Sequence, residues 1–143
     1  MIGVQPYLNF NGNCNEAINF YKDVLGGEIL YVQRYGDSPM KGMAKDDDVM
    51  HCTLKIGDTH IMACDSPEGQ PEIPGSNISL AIGMNDPAAA ETMFQKLSDG
   101  GTVTMEMQQT FWAERFGMLT DKYGIKWMFN CDKPESDHAQ ATA

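Results

Sequence analysis

Phe20 stands six positions before the pair Gly26-Gly27, and Phe94 stands six positions before the pair Gly100-Gly101. What surrounds these two patterns also repeats, and a repeat of this size limits the chain to folds built from two copies of one supersecondary unit. Pro6-Tyr7-Leu8-Asn9-Phe10 alternates as a strand and runs into the turn residues Asn11-Gly12-Asn13. Asn13 or Asn15 is placed to cap a helix whose apolar stripe is Ala17, Ile18, Tyr21, Val24 and Leu25. The first glycine pair stops that helix. In the second half Ile78 to Ile82 alternates, and Asn85-Asp86-Pro87 starts a helix with Asp86 as the cap and Pro87 in the first turn. Ala90, Met93, Phe94 and Leu97 form its apolar stripe, and the second glycine pair stops it.

Each helix is followed by enough chain for three strands. In the first half these are Glu28–Tyr35, Val49–Ile56 and Thr59–Cys64, with Gly57-Asp58 as a two-residue hairpin turn between the last two. That turn sets Lys55 across from His60, Thr53 across from Met62, and His51 across from Cys64. In the second half the strands are Thr102–Met107, Phe116–Thr120 and Ile125–Asn130, with Lys122-Tyr123-Gly124 as the last turn. The expected fold is α+β: two tandem βαβββ modules, 4–65 and 77–132, in one domain of 143 residues. The linker 66–76 carries three prolines and two glycines, and the small polar residues 133–143 are expected to be a disordered tail.

Charge narrows the partners. Twenty acidic against ten basic residues give a formal net charge of −10, the opposite of what a phosphate-backbone partner requires. No run approaches the roughly 20 apolar residues that span a bilayer. The opening Met1-Ile2-Gly3-Val4-Gln5 has no basic segment followed by an apolar one, so no signal peptide is expected and the cytoplasm is the expected compartment. Cys14, Cys52, Cys64 and Cys131 match no zinc spacing, and in that compartment they are expected to be reduced thiols. The run Asp46-Asp47-Asp48 reads as a solvated loop tip.

Strand alternation separates two faces. Leu8, Phe10, Leu54, Ile56, Ile61, Ile78, Leu80, Ile82, Trp127 and Phe129 should pack under the helices. The other face carries Gln5, Tyr7, Asn9, His51, Thr53, Lys55, His60, Met62 and Cys64 in the first half, and Asn77, Ser79, Lys126, Met128 and Asn130 in the second. That mixture is too polar for a core and too apolar for a bare surface. It suits the lining of a small-molecule cavity or a face that packs on a partner subunit.

Several local motifs carry a family resemblance. Tyr7-Leu8-Asn9-Phe10, Asn13-Cys14-Asn15-Glu16-Ala17 and Phe20-Tyr21 resemble the start of the PhnB-like branch of the vicinal-oxygen-chelate superfamily, which includes glyoxalase I, extradiol dioxygenases and the fosfomycin and bleomycin resistance proteins. His51 to Gly57 running into Ile61-Met62 resembles it too. The most specific piece is Gln109-Thr110-Phe111-Trp112-Ala113-Glu114-Arg115-Phe116-Gly117, continuing through Thr120 to Gly124 and Trp127-Met128. The resemblance covers residues 4–132 and implies a mixed sheet cupped by the two modules. It also implies a two-fold homodimer and, in the superfamily's enzymes, a divalent ion held by His and Glu on the first and fourth strand of each module. Aligned on that plan, the ligand positions fall on Gln5, Met62, Asn77 and Met128. Neutral amides and thioethers are poor ligands for Mg, Mn, Zn or Ni, so no metal and no cofactor are expected.

The expected ligand is a small, partly apolar molecule. Gln5, Tyr7, His51, His60 and Asn77 offer hydrogen bonds, Met62, Met128 and Trp112 offer adaptable apolar surface, and Arg115 offers a forked grip on an acidic group. Glu114 and His51 are the candidates for acid–base chemistry. Three functions remain open at this point. One is metal-independent binding of a small molecule. The second is a glyoxalase-type lyase or extradiol-type dioxygenase that uses a divalent metal. The third is a non-catalytic dimer.

Overall fold

The computed structural model describes residues 2–132. The expectation for residues 133–143 lies outside them. The chain divides into two compact units, with the boundary between Ile73 and Pro74, inside the expected linker.

In the first unit the elements run β1 (Tyr7–Phe10), α1 (Cys14–Leu25), β2 (Glu28–Arg34), β3 (Val49–Ile56) and β4 (Thr59–Asp65), with one 3₁₀ turn at Tyr35–Asp37. The strands form one mixed sheet in the order β1-β4-β3-β2. β1 lies parallel to β4, while β3 is antiparallel to both β4 and β2. The hairpin register is the expected one, with Lys55 opposite His60 and Thr53 opposite Met62. Gly57 has φ 55°, and among the described residues no non-glycine residue has positive φ. Positive φ at the first turn position alone fits a type II′ hairpin.

The second unit repeats the plan as β5 (Leu80–Met84), α2 (Pro87–Leu97), β6 (Thr102–Gln108), β7 (Ala113–Thr120) and β8 (Lys126–Asp132), in the sheet order β5-β8-β7-β6. Two expectations need correction here. β5 begins at Leu80, opposite Trp127, so Ile78 lies outside the strand and is 75% exposed. The alternation of Ile78 continues that of Leu80 and Ile82, but no strand pairs with it. The helix α2 ends at Leu97, and a short turn carries the chain to Gly100.

Apolar faces drive both packings. In the first unit Ala17, Ile18, Tyr21 and Leu25 of α1 are buried together with Leu8, Phe10, Cys52, Leu54, Ile61 and Ala63 of the sheet. In the second, Ala90, Phe94 and Leu97 are buried with Leu119, Trp127, Phe129 and Cys131, and Phe94 meets Phe129 edge-on at 5.6 Å.

Helix termini explain the repeat. Asp86 Oδ1 accepts from the Ala89 N–H at 3.2 Å, as its position before Pro87 predicts. No such local cap serves α1. Asn13 precedes the helix, but its side chain accepts from the Asn11 N–H instead. The carboxylate comes from the end of β4: Asp65 Oδ1 accepts from the Gly12 and Cys14 N–H groups at 2.8 and 2.9 Å, and Oδ2 accepts from the Val49 N–H at 2.9 Å. Asp121 serves the second unit by accepting from the Tyr123 and Ile125 N–H groups and from Trp127 Nε1. Both carboxylates are buried. Each satisfies backbone donors that are buried or part-buried.

The glycine pairs divide the labour. Gly26 and Gly100 take left-handed φ values of 73° and 75°. Gly27 and Gly101 lie against strand backbone. A Cβ on Gly27 would meet the Lys55 carbonyl oxygen at 2.8 Å, and one on Gly101 would fall onto the Thr120 carbonyl oxygen. Among the described residues no helix is long and apolar enough to cross a membrane.

Candidate functional site

The face of the first sheet turned away from α1 is built by alternation. β1 contributes Tyr7 and Asn9, β4 contributes His60, Met62 and Cys64, and β3 contributes His51 and Thr53. These side chains are exposed or half-buried, while their strand neighbours Leu8, Cys52, Leu54, Ile61 and Ala63 are buried. The open side chains are ordered by one another. The Tyr7 hydroxyl and His51 Nδ1 are in hydrogen-bond contact at 3.1 Å, and their rings are 5.7 Å apart. Cys64 Sγ donates to Asn9 Oδ1 at 3.3 Å. His51 and Cys64, expected as a cross-strand couple, therefore each find a different partner on β1.

β2 adds two residues that sequence reasoning left out. Tyr31 is opposite Thr53, and Gln33 is opposite His51. The Tyr31 ring lies 6.1 Å from that of His51, and its hydroxyl donates to Gln33 Oε1 at 3.1 Å. The signal was the Tyr31/Gln33 alternation, but register shifts on either side of this stretch hide its phase.

Burial, with Cys64 beside it, pushes the Tyr7 phenol above its ordinary value. Burial also pushes the Cys64 thiol up. Both groups therefore keep their protons at neutral pH, and the face presents a phenol, an imidazole, a thiol, an amide and a hydroxyl between two tyrosine rings. Such a set can donate to and accept from a ligand's polar groups and can stack against a flat apolar body.

In the second unit the corresponding face carries Met118 opposite Met128, and Phe116 opposite Asn130. Trp112 packs edge-on against Phe116 at 5.4 Å and against Phe111 at 4.7 Å. Glu114 is half-buried and alternates with Phe116 and Met118. Arg115 follows the other alternation, that of Gly117 and Leu119, and is exposed. It does not share a face with Met128. Gln5 and Asn77 are exposed and lie ahead of their strands. Tyr7, two residues beyond Gln5, is the residue opposite Met62, and Ala81, four beyond Asn77, is opposite Met128.

These registers bear on the superfamily's divalent ion. A phenol and a thioether at one pair of positions, and a methyl and a thioether at the other, do not fit it. Among the described residues no group of three or more His, Cys, Asp or Glu side chains is placed to hold a metal.

The comparisons with known proteins agree with the fold. A family model described as 3-demethylubiquinone-9 3-methyltransferase matches residues 3–129. The YjdN protein of Escherichia coli K12 is 32% identical, over 92% of this chain and 97% of its own. The structure of protein PA1353 from Pseudomonas aeruginosa is similar at TM-score 0.85 and 38% identity, covering 94% of this chain and 100% of that one. The PhnB protein from Bacillus cereus follows at TM-score 0.77 and 27% identity, covering 91% and 99%. A glyoxalase/bleomycin resistance protein/dioxygenase domain from Frankia shares the fold alone, at TM-score 0.66 and 13% identity over 93% and 99%. The family model over nearly the whole described chain and these relatives place the chain in the 3-demethylubiquinone-9 3-methyltransferase family, which is PhnB-like, and its two βαβββ units have the fold of the glyoxalase/bleomycin resistance protein/dioxygenase domains.

Proposed function

We propose that the protein binds a small, partly apolar molecule bearing one or two polar groups, and holds it with its own side chains and not through a divalent metal. The observation that carries this reading is the Tyr7–His51 contact at 3.1 Å on an exposed sheet face. A sheet face that only meets water has no need of rings that orient one another, whereas a binding face does. Tyr7, Tyr31 and His51 supply flat surface and polar tips, and Asn9, Thr53, Met62 and Cys64 fill the space around them. The second unit, taken by itself, presents adaptable apolar side chains, Met118, Met128 and Phe116, on its corresponding face. Gln5, Asn77 and Arg115 are left out because of where they lie. The grip on an acidic group proposed for Arg115 loses its support with them.

A thermal-shift screen tests this reading. The probes are a fragment set of neutral and anionic aromatic carbonyl compounds. A ligand that binds only the folded chain adds about 2.7 kcal/mol of stability at one hundred times its Kd. Compounds that stabilise the wild type are expected, and Tyr7→Phe should weaken them about three- to tenfold by removing one hydrogen bond. His51→Ala should weaken them further. If nothing binds, or if binding is indifferent to both substitutions, this reading fails.

The same reading puts the protein in the cytoplasm, a compartment whose resting state keeps thiols reduced, as its four cysteines are in the fold. It also includes a two-fold homodimer. β2 is an edge strand whose Leu30, Tyr31 and Val32 are 47%, 50% and 38% exposed, more apolar surface than an edge facing water usually carries. Light scattering at micromolar concentration should give the mass of two chains. A monomer mass would remove the dimer from the account.

A further inference from the structure

Cys14 opens α1 and Cys52 lies in β3, 38 residues further along, yet their Sγ atoms are 3.8 Å apart in a buried contact. Cys14 is 0% and Cys52 1% exposed. The fold leads both ends to this meeting. Cys52 shares the helix-facing alternation of Leu54, and the Cys14 backbone is held by its N–H bond to Asp65 at 2.9 Å. The other two thiols are placed differently. Cys64 lies on the opposite face of the sheet and bonds Asn9, and Cys131 belongs to the second unit.

We propose that Cys14 and Cys52 form an oxidative cross-linking site, closed by a peroxide into an intramolecular disulfide that pins the start of α1 to β3. One thiol is first oxidised by hydrogen peroxide to a sulfenic acid, with release of one water. The second thiol then attacks that sulfur, the S–S bond forms and the S–O bond breaks, and the oxygen leaves as a second water. The two sulfurs together lose two electrons, and the peroxide is reduced to two waters. Closing from contact to the bonded distance of about 2.05 Å moves each sulfur by less than its own radius, which rotation about χ1 supplies. Peroxide is small enough to enter when the first turn of α1 opens locally. Thiols of the glutathione class reverse the bond. Because Cys52 adjoins His51, the cross-link also restrains the strand that carries His51. Only that consequence depends on the proposed function.

The experiment treats the native full chain with hydrogen peroxide, denatures it, alkylates it with N-ethylmaleimide and maps the peptides. Intact mass cannot serve as the count, because the eleven methionines also take up oxygen. The expected result is a linked pair of peptides containing Cys14 and Cys52, with Cys131 still alkylated and both peptides released by dithiothreitol. The thermal midpoint of the oxidised protein should rise by roughly 10 °C, because the bond closes a long loop in the unfolded chain. In Cys14→Ser, Cys52 should stay alkylatable after peroxide, and in Cys64→Ser the cross-link should form as in the wild type. The proposal is overturned if Cys14 and Cys52 of the wild type are both alkylated after peroxide. It is equally overturned if they are recovered as separate sulfinic acids, if either links to Cys64, or if the bond forms only when peroxide is added to the denatured chain.

Discussion

Asp65→Ala is expected to lower folding stability by about 3–5 kcal/mol, a large part of the 5–15 kcal/mol that holds a typical domain. The side chain is 1% exposed and accepts three backbone N–H groups, from Gly12, Cys14 and Val49. Alanine leaves two buried donors, Cys14 and Val49, and the part-buried Gly12 N–H without an acceptor, at about 1–3 kcal/mol for each buried one before relaxation and water entry reduce the sum. It also removes the negative charge from the start of α1, where the helix dipole favours one. Asp65→Asn keeps one acceptor oxygen and turns an N–H₂ toward an N–H, so its loss should fall between wild type and alanine. Urea denaturation followed by far-UV circular dichroism gives both values. A loss under 1 kcal/mol for Asp65→Ala would mean that the three bonds do not hold the first unit together.

Gly101→Ala is expected to cost about 3 kcal/mol, at the upper end for overpacking. Its Cβ would fall on the Thr120 carbonyl oxygen and lie 2.9 Å from Asp121 Cα and carbonyl carbon. Those are backbone atoms of the β7 end and its turn, and no side-chain rotation clears them. Gly100→Ala makes a useful contrast. Its φ is 75°, but the nearest atoms are those of the flexible Lys122 side chain at 3.3 Å. The left-handed backbone alone costs about 1–2 kcal/mol. The ranking Gly101→Ala worse than Gly100→Ala is therefore the expected result. Gly27→Ala should behave like Gly101→Ala, because the Lys55 carbonyl oxygen stands 2.8 Å from its Cβ. Equal losses at positions 100 and 101 would mean that close approach is not what the second glycine supplies.

These two sites also mark how far a sequence reading reaches. The glycine pairs, the Asp86-Pro87 helix start and the Gly57-Asp58 hairpin are local chemistry, so the succession of elements, the start of α2 and the β3–β4 register follow from them. The cap of α1 does not. Asn13 has the right identity and place, but Asp65, about fifty residues away in the chain, reaches the N–H groups first. Only tertiary packing brings that carboxylate there. On the candidate site, alternation put Tyr7, His51, Thr53, Met62 and Cys64 on one face, because a strand's period is fixed. It failed where the period is broken or absent. Tyr31 lies between register shifts, and Gln5 and Asn77 precede strands that start later than their alternation suggests. Arg115 shows a third kind of failure. Its residue type suits an anion, but its phase follows Gly117 and Leu119, and type says nothing about phase.

The central claim is that this chain holds its ligand with its own side chains, and not through the divalent ion typical of the enzymes whose superfamily its motifs resemble. Elemental analysis of the native full-length protein, purified without chelator, tests it most directly. The account predicts transition metal far below one equivalent per chain, unchanged by dialysis against Mn, Ni or Zn followed by buffer. About one equivalent of a single transition metal per chain, retained through that dialysis, would contradict it.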